Sequence, residues 1–124
     1  MRQEGPLVSV LMPAYNSEKY IAQAIQSILN QTYENFELCI INDGSTDDTA
    51  AVIHQFKDPR IVLVNRRENR GLVETRNSLI EMAQGQYIAY LDNDDIAFPD
   101  RLEKQVAFLE AGNADLCSGA YETY

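Results

Sequence analysis

Apolar and polar positions along this chain alternate between two periods. Residues 7–12 form a short apolar run closed by Pro13, the pattern of a strand buried on both faces. Ile21, Ala24, Ile25, Ile28 and Leu29 then recur at the spacing of one helical face, and Asn16 and Ser17 stand where that helix needs an N-cap. Residues 36–41 read as a second apolar strand. The Asp-Gly-Ser-Thr segment at 43–46 reads as a turn, with Ser45 or Thr46 capping a short helix marked by Val52, Ile53 and Phe56. Asp58-Pro59 breaks that helix, and residues 61–64 predict a third strand. A polar loop at 65–70 leads to Gly71 and a third helix. Its stripe holds Leu72, Arg76, Leu79, Ile80 and Ala83, with Gly85 as C′ residue. Residues 87–91 predict a fourth strand. Pro99 suits the first turn of a fourth helix with Leu102, Val106 and Leu109 inward, and residues 116–120 are a candidate fifth strand.

Strands alternating with helices imply βαβ units and right-handed crossovers, hence an α/β fold with a mostly parallel sheet flanked by helices. With 124 residues and no linker or repeat, residues 1–124 read as a single domain. The chain stops directly after a strand, which predicts a C-terminally incomplete domain. The apolar, Tyr-containing end at 114–124 predicts self-association into a homo-oligomer.

Charge narrows the function classes. Ten Lys+Arg against nineteen Asp+Glu give a formal charge of -9, which disfavours nucleic-acid or polybasic membrane partners. A phosphate-bearing ligand therefore needs a local basic residue, a helix N-terminus or a bridging metal. No apolar run reaches the ~18 residues of a membrane span, and the N-terminus lacks a signal-peptide pattern, so a cytoplasmic location is expected. Cys39 and Cys117 lie far apart in apolar runs and read as reduced core thiols.

In an open parallel sheet, ligands bind beyond the carboxyl ends of the strands. The unusual residues all fall there: residues 13–16 after the first strand, 42–45 after the second, 66–76 in the third unit and 92–95 after the fourth. The run Asp92-Asn93-Asp94-Asp95 puts three carboxylates into four residues, and these repel one another unless a cation or solvent compensates. A hard divalent ion suits them; an acidic turn capping the next helix is the other reading. Asp43 is either a turn residue or an acceptor for a base or ribose. Arg70 and Arg76 flank a Gly-started helix and serve either a phosphate or a salt bridge to the acidic cluster. His54 reads as a surface histidine. The six glycines form neither Gly-x-Gly-x-x-Gly nor a P-loop, no Gly-x-Ser-x-Gly elbow occurs, and one His with two scattered Cys cannot build a zinc site.

Taken in order, these motifs resemble the N-terminal half of the family 2 glycosyltransferases, an inverting group with a GT-A fold. The resemblance rests on Val8-Ser9-Val10-Leu11-Met12-Pro13-Ala14-Tyr15-Asn16 and Ser27-Ile28-Leu29-Asn30-Gln31-Thr32-Tyr33. It continues through Asn42-Asp43-Gly44-Ser45-Thr46-Asp47, Asn69-Arg70-Gly71, Arg76-Asn77, the cluster at 92–95 and Pro99-Asp100-Arg101-Leu102. It implies a nucleotide-sugar donor site, with Pro13, Ala14, Tyr15 and Asn16 around uridine, Asp43 on the uracil edge and Arg76 facing the diphosphate. It also implies an Asp-x-Asp motif in which Asp94 binds Mn2+ or Mg2+ and Asp92 faces ribose or metal. The implied partners are a UDP-sugar and a carbohydrate or glycoconjugate acceptor. Many members carry Asp-Asp before Gly-Ser, whereas the first position here is Asn42. The family's acceptor half and general base are expected beyond Tyr124, leaving the catalytic base unassigned in this chain. Two other classes compete: a structural assembly module on a truncated fold, and a receiver-type signalling domain. The latter would need an acidic pair after the first strand, where this chain has residues 13–16, and a Lys after the fifth.

Overall fold

The structure, a computed structural model, describes residues 5–112. The candidate fifth strand, Cys117 and the apolar end lie outside the described residues. Eight elements follow in chain order: β1 (Val8–Ala14), α1 (Ile21–Leu29), β2 (Phe36–Asp43), α2 (Thr49–His54), β3 (Ile61–Arg66), α3 (Leu72–Met82), β4 (Tyr87–Tyr90) and α4 (Arg101–Glu110). The four described strands form one parallel sheet in the order β3-β2-β1-β4. The alternation read from the sequence is thus the architecture observed.

β1 is central, and every one of its residues is buried. Side-chain alternation divides the core between its two faces. Val8, Val10, Met12 and Ala14 join Phe36, Leu38 and Ile40 under α1, whose Ile21, Ala24, Ile25 and Ile28 are fully buried, and Leu102 and Val106 of α4 complete that layer. On the opposite face, Leu11, Cys39 and Ile41 pack against Leu79 of α3. Burial and the neighbouring Glu37 push the Cys39 thiol up to about 12, in keeping with an inert core thiol.

Pro13 is tolerated in a central strand because of where the ladder stops. The carbonyls of Leu7 and Leu11 accept from the β4 side, so the odd-numbered row of β1 faces β4. Pro13 continues that row beyond Leu11↔Tyr90, the last pair between the two strands. Its missing N–H therefore costs no ladder bond.

Three local expectations shift. α1 begins after Tyr20, without a side-chain cap, while Asn16 and Ser17 serve the preceding loop. α2 is preceded by Asp48, and Asp47 rather than Ser45 or Thr46 accepts the Thr49 amide at 2.9 Å. Gly85 is not a helix C′ residue. α3 ends at Ala83 in extended geometry, and a Cβ on Gly85 would stand 2.7 Å from the Ser9 amide nitrogen, so its role is close approach to β1.

Candidate functional site

The strand order places the topological switch at β1: the chain runs outward to β2 and β3, then crosses back to β4 on the other side. The loops leaving β1 and β4 flank this point, and the crevice at such a switch is where open α/β sheets bind ligands. A cleft of about 530 Å³ occupies this place. Pro13, Ala14 and Tyr15 form one wall and residues 92–94 another. Asp43 and Asn69 close a third side with Gly71, Leu72, Thr75 and Arg76 at the N-terminal end of α3.

Of the sequence-derived candidates, Pro13, Ala14, Tyr15, Asp43, Arg76, Asp92 and Asp94 converge on this cleft. Asn16 does not line it. Its φ is 48°, its amide donates to Ser45 Oγ at 2.9 Å, and its Oδ1 accepts the Thr46 amide at 2.8 Å. Asn16 thus locks the loop after β1 to the turn after β2. In that turn Gly44, at φ +71°, approaches the Asn69 nitrogen so closely that a Cβ would lie 2.5 Å from it. His54 is exposed, as expected of a surface histidine.

Asp43 ends β2 on the face covered by α3. Its Oδ1 accepts Arg66 Nη1 at 3.1 Å and the Arg70 amide at 3.0 Å, while Oδ2 accepts the Gly71 amide at 3.0 Å. Burial acts to raise its pKa, but the Arg70 amide, Arg66, the Gly71 amide and Thr75 together outweigh it and hold the carboxyl below its usual value. These four donors match the roughly four lone-pair positions of a carboxylate, so a donor from the cleft would share an oxygen with one of them.

Asp92 and Asp94 are exposed, and with Asp95 they bring carboxylate oxygens within 4.8 Å of one another. Asp95 is raised above its usual value by burial and by the charges of Asp92 and Asp94, with Arg101 pulling the other way. Such crowding of hard oxygen donors fits a divalent cation of the Mg2+ or Mn2+ type. Arg76 Nη2 lies 3.9 Å from Asp92 Oδ1 with both side chains about half exposed. A contact that long and wet contributes at most about 1 kcal/mol, little enough for a phosphate to displace. Arg76 thus makes the contact to the acidic cluster, at the limit of an ion pair, and also lines the cleft.

Several supporting residues carried no chemical signal in the sequence. Asn93, between two carboxylates, donates to the Pro13 carbonyl at 2.9 Å, tying the acidic loop to β1. Buried Gln31 donates to the Phe98 carbonyl and accepts the Leu102 amide at 3.0 Å, capping α4 from across the chain. Ser27 Oγ accepts the Ala97 amide. Together they anchor the segment that follows the acidic loop. Gln31 and Ser27, legible only as part of a resemblance, acquire a physical role as this clamp.

Comparison with known proteins agrees with this geometry. The sequence matches the glycosyl transferase family 2 domain over residues 9–124. It is 44% identical over 118 residues to an uncharacterized glycosyltransferase of Haemophilus influenzae, covering 94% of this chain and 47% of that protein. It is 40% identical over 116 residues to the Escherichia coli UDP-Glc:alpha-D-GlcNAc-diphosphoundecaprenol beta-1,3-glucosyltransferase WfgD, covering 94% and 46%. The chain thus spans less than half the length of these relatives. Among solved structures it resembles S. aureus TarS 1-349 in complex with UDP-GlcNAc, with a TM-score of 0.82 and 25% identity, covering 94% of this chain and 37% of that one. The mannosyltransferase PcManGT of Pyrobaculum calidifontis, in complex with GDP-Man and Mn2+, gives a TM-score of 0.72 at 27% identity, covering 82% and 31%. The architecture is accordingly of the GT-A type. The chain belongs to glycosyl transferase family 2.

Proposed function

We propose that this chain supplies the donor-binding part of an inverting glycosyltransferase that holds a UDP-sugar through a divalent cation. One observation carries the reading: the loops of β1, β2, α3 and β4 bring an aromatic wall, a buried carboxylate, an arginine and an acidic cluster to one cleft at the switch point. In this reading Pro13, Ala14 and Tyr15 line the base, Asp43 accepts from its edge and Arg76 faces the diphosphate. Asn16 contributes indirectly, by holding the first loop in place. Asp94 holds the metal and Asp92 either shares it or takes the ribose. The cation would offset the negative charge that develops on the departing diphosphate. TarS with UDP-GlcNAc and PcManGT with GDP-Man and Mn2+ support a nucleotide donor and a metal of this class.

For the whole protein the proposed acceptor is a hydroxyl of a carbohydrate or glycoconjugate, and the proposed compartment is the cytoplasm. No helix among the described residues is long and apolar enough to cross a membrane. Self-association belongs to the same proposal, and light scattering during gel filtration reads it directly. A clean 14.0 kDa species at micromolar concentration would refute it.

Titration calorimetry tests the central claim. UDP should bind with Mn2+ or Mg2+ present and lose most of its affinity in EDTA, because an acidic rim cannot hold a diphosphate unaided. Equal binding in EDTA sinks the metal role. No binding under either condition favours the structural-module reading.

A further inference from the structure

Arg66 lies opposite Asp43 in the parallel register of β2 and β3, so both side chains leave the same face of the sheet. Its side chain is 10% exposed and that of Asp43 5%. One guanidinium reaches three side chains on two elements, β2 and α3. Nη1 donates to Asp43 Oδ1 at 3.1 Å and to Thr75 Oγ1 at 2.8 Å, and Nη2 donates to Ser78 Oγ at 2.7 Å. Thr75 and Ser78 are one turn apart on α3, so a planar fork spans them where the point charge of a lysine could not. Beyond Arg66, the partners of Asp43 include two consecutive backbone amides, Arg70 and Gly71. Gly71 is the N-cap position of α3, at φ 94° and without a side-chain cap of its own, so the β2 carboxylate satisfies the helix entry from outside.

Arg66 does not line the cleft, yet Asp43, Gly71, Thr75 and Arg76 all do. We propose that Arg66 is a positioning residue for this cleft: it fixes Asp43 and, through that carboxylate, the turn that aims α3 and its Arg76 at the ligand. The inference rests on the donor-site reading given above. Without Arg66 the buried Asp43 loses its compensating charge, and the turn loses its fixed acceptor.

The test uses the full 124-residue chain. Amide hydrogen exchange is followed by NMR, and Mn2+ alone and UDP with Mn2+ are titrated separately. In Arg66→Gln, exchange at Arg70 and Gly71 should rise about tenfold relative to the core amides of Leu38 and Ile40. UDP affinity should fall about tenfold while Mn2+ affinity holds. Arg66→Lys should recover part of both effects, and Ser78→Ala should show a smaller change in the same direction. If Arg66→Gln does not fold, these two milder variants carry the same comparison. A folded variant with unchanged UDP affinity overturns the proposal, as does a loss of protection spread evenly over the core. If the unaltered chain binds no UDP, the donor reading fails by itself, and exchange at Arg70 and Gly71 then decides whether Arg66 holds the turn.

Discussion

At Asp43 one carboxylate holds the turn into α3, and in the proposed reading it also meets the ligand; pH separates out the structural task. Its folded pKa lies below the ordinary 3.8, held there by amide and guanidinium donors against the opposing effect of burial. A depressed carboxylate contributes stability that is present above the unfolded pKa and is lost as pH falls through the folded one. Asp43→Asn should therefore destabilise the chain by about 3 kcal/mol at pH 7, as expected when a buried ion pair loses one member. That gap should narrow as pH drops below 3.8, measured by urea denaturation across the range. A gap independent of pH would show that the ionised form is not what matters. Asp94 makes the contrasting case. It is exposed and crowded by like charge, so Asp94→Asn should leave the urea midpoint almost unchanged. The same variant should erase the difference between UDP titrations with and without Mn2+.

Among the elements, the joint between α1 and α4 shows how far the sequence could be read. The stripe of α1 was visible in full because apolar spacing reports a buried face directly. Its companion Gln31 was visible only as part of a motif, since a polar residue after a helix ordinarily faces water. Burial turns it into a cap for α4 with bonds on both amide atoms. Gln31→Ala should consequently cost about 2 kcal/mol by thermal or urea unfolding, leaving the Leu102 amide without its acceptor and removing one of the donors to the Phe98 carbonyl, which keeps the Arg101 amide. Gln31→Glu, which keeps the acceptor for Leu102 but not the donor, should fall between. α3 departs from its apolar pattern. Leu72 and Ile80, placed on its inner stripe, are 53% and 44% exposed, whereas Thr75 is buried. The helix packs through Leu79 and a polar contact to Arg66, and periodicity counts only apolar residues. Spacing alone puts Arg76 on that stripe, whereas it stands half-exposed at the cleft. The site residues themselves were legible because polar loops at strand ends have a single rim to share. Their supports were not, because Arg66, Asn93 and Gln31 acquire meaning only from partners distant in sequence.

Across the whole molecule, the excess of acidic residues sets how ligands arrive. A formal charge of -9 repels a diphosphate at long range and concentrates divalent cations near the acidic rim. Raising the ionic strength from 0.01 to 0.1 M shortens the screening length from about 30 to about 10 Å. Mn2+ affinity should then fall several-fold by calorimetry, with Asp94→Asn showing a flatter dependence. Residual UDP binding in EDTA should not weaken over the same range. A metal affinity insensitive to salt would mean that only the immediate ligands matter.

The bond from Asn93 to Pro13 bears on why there is an opening at all. Had β4 continued its pairing for two more residues, the backbone of residue 93 would have met the Pro13 carbonyl and the sheet would have zipped shut at this end. Proline offers no N–H to continue that seam, and a side-chain amide takes the carbonyl instead. The mouth of the cleft is thus an unfinished seam, held at a fixed width by a stitch only one side chain long.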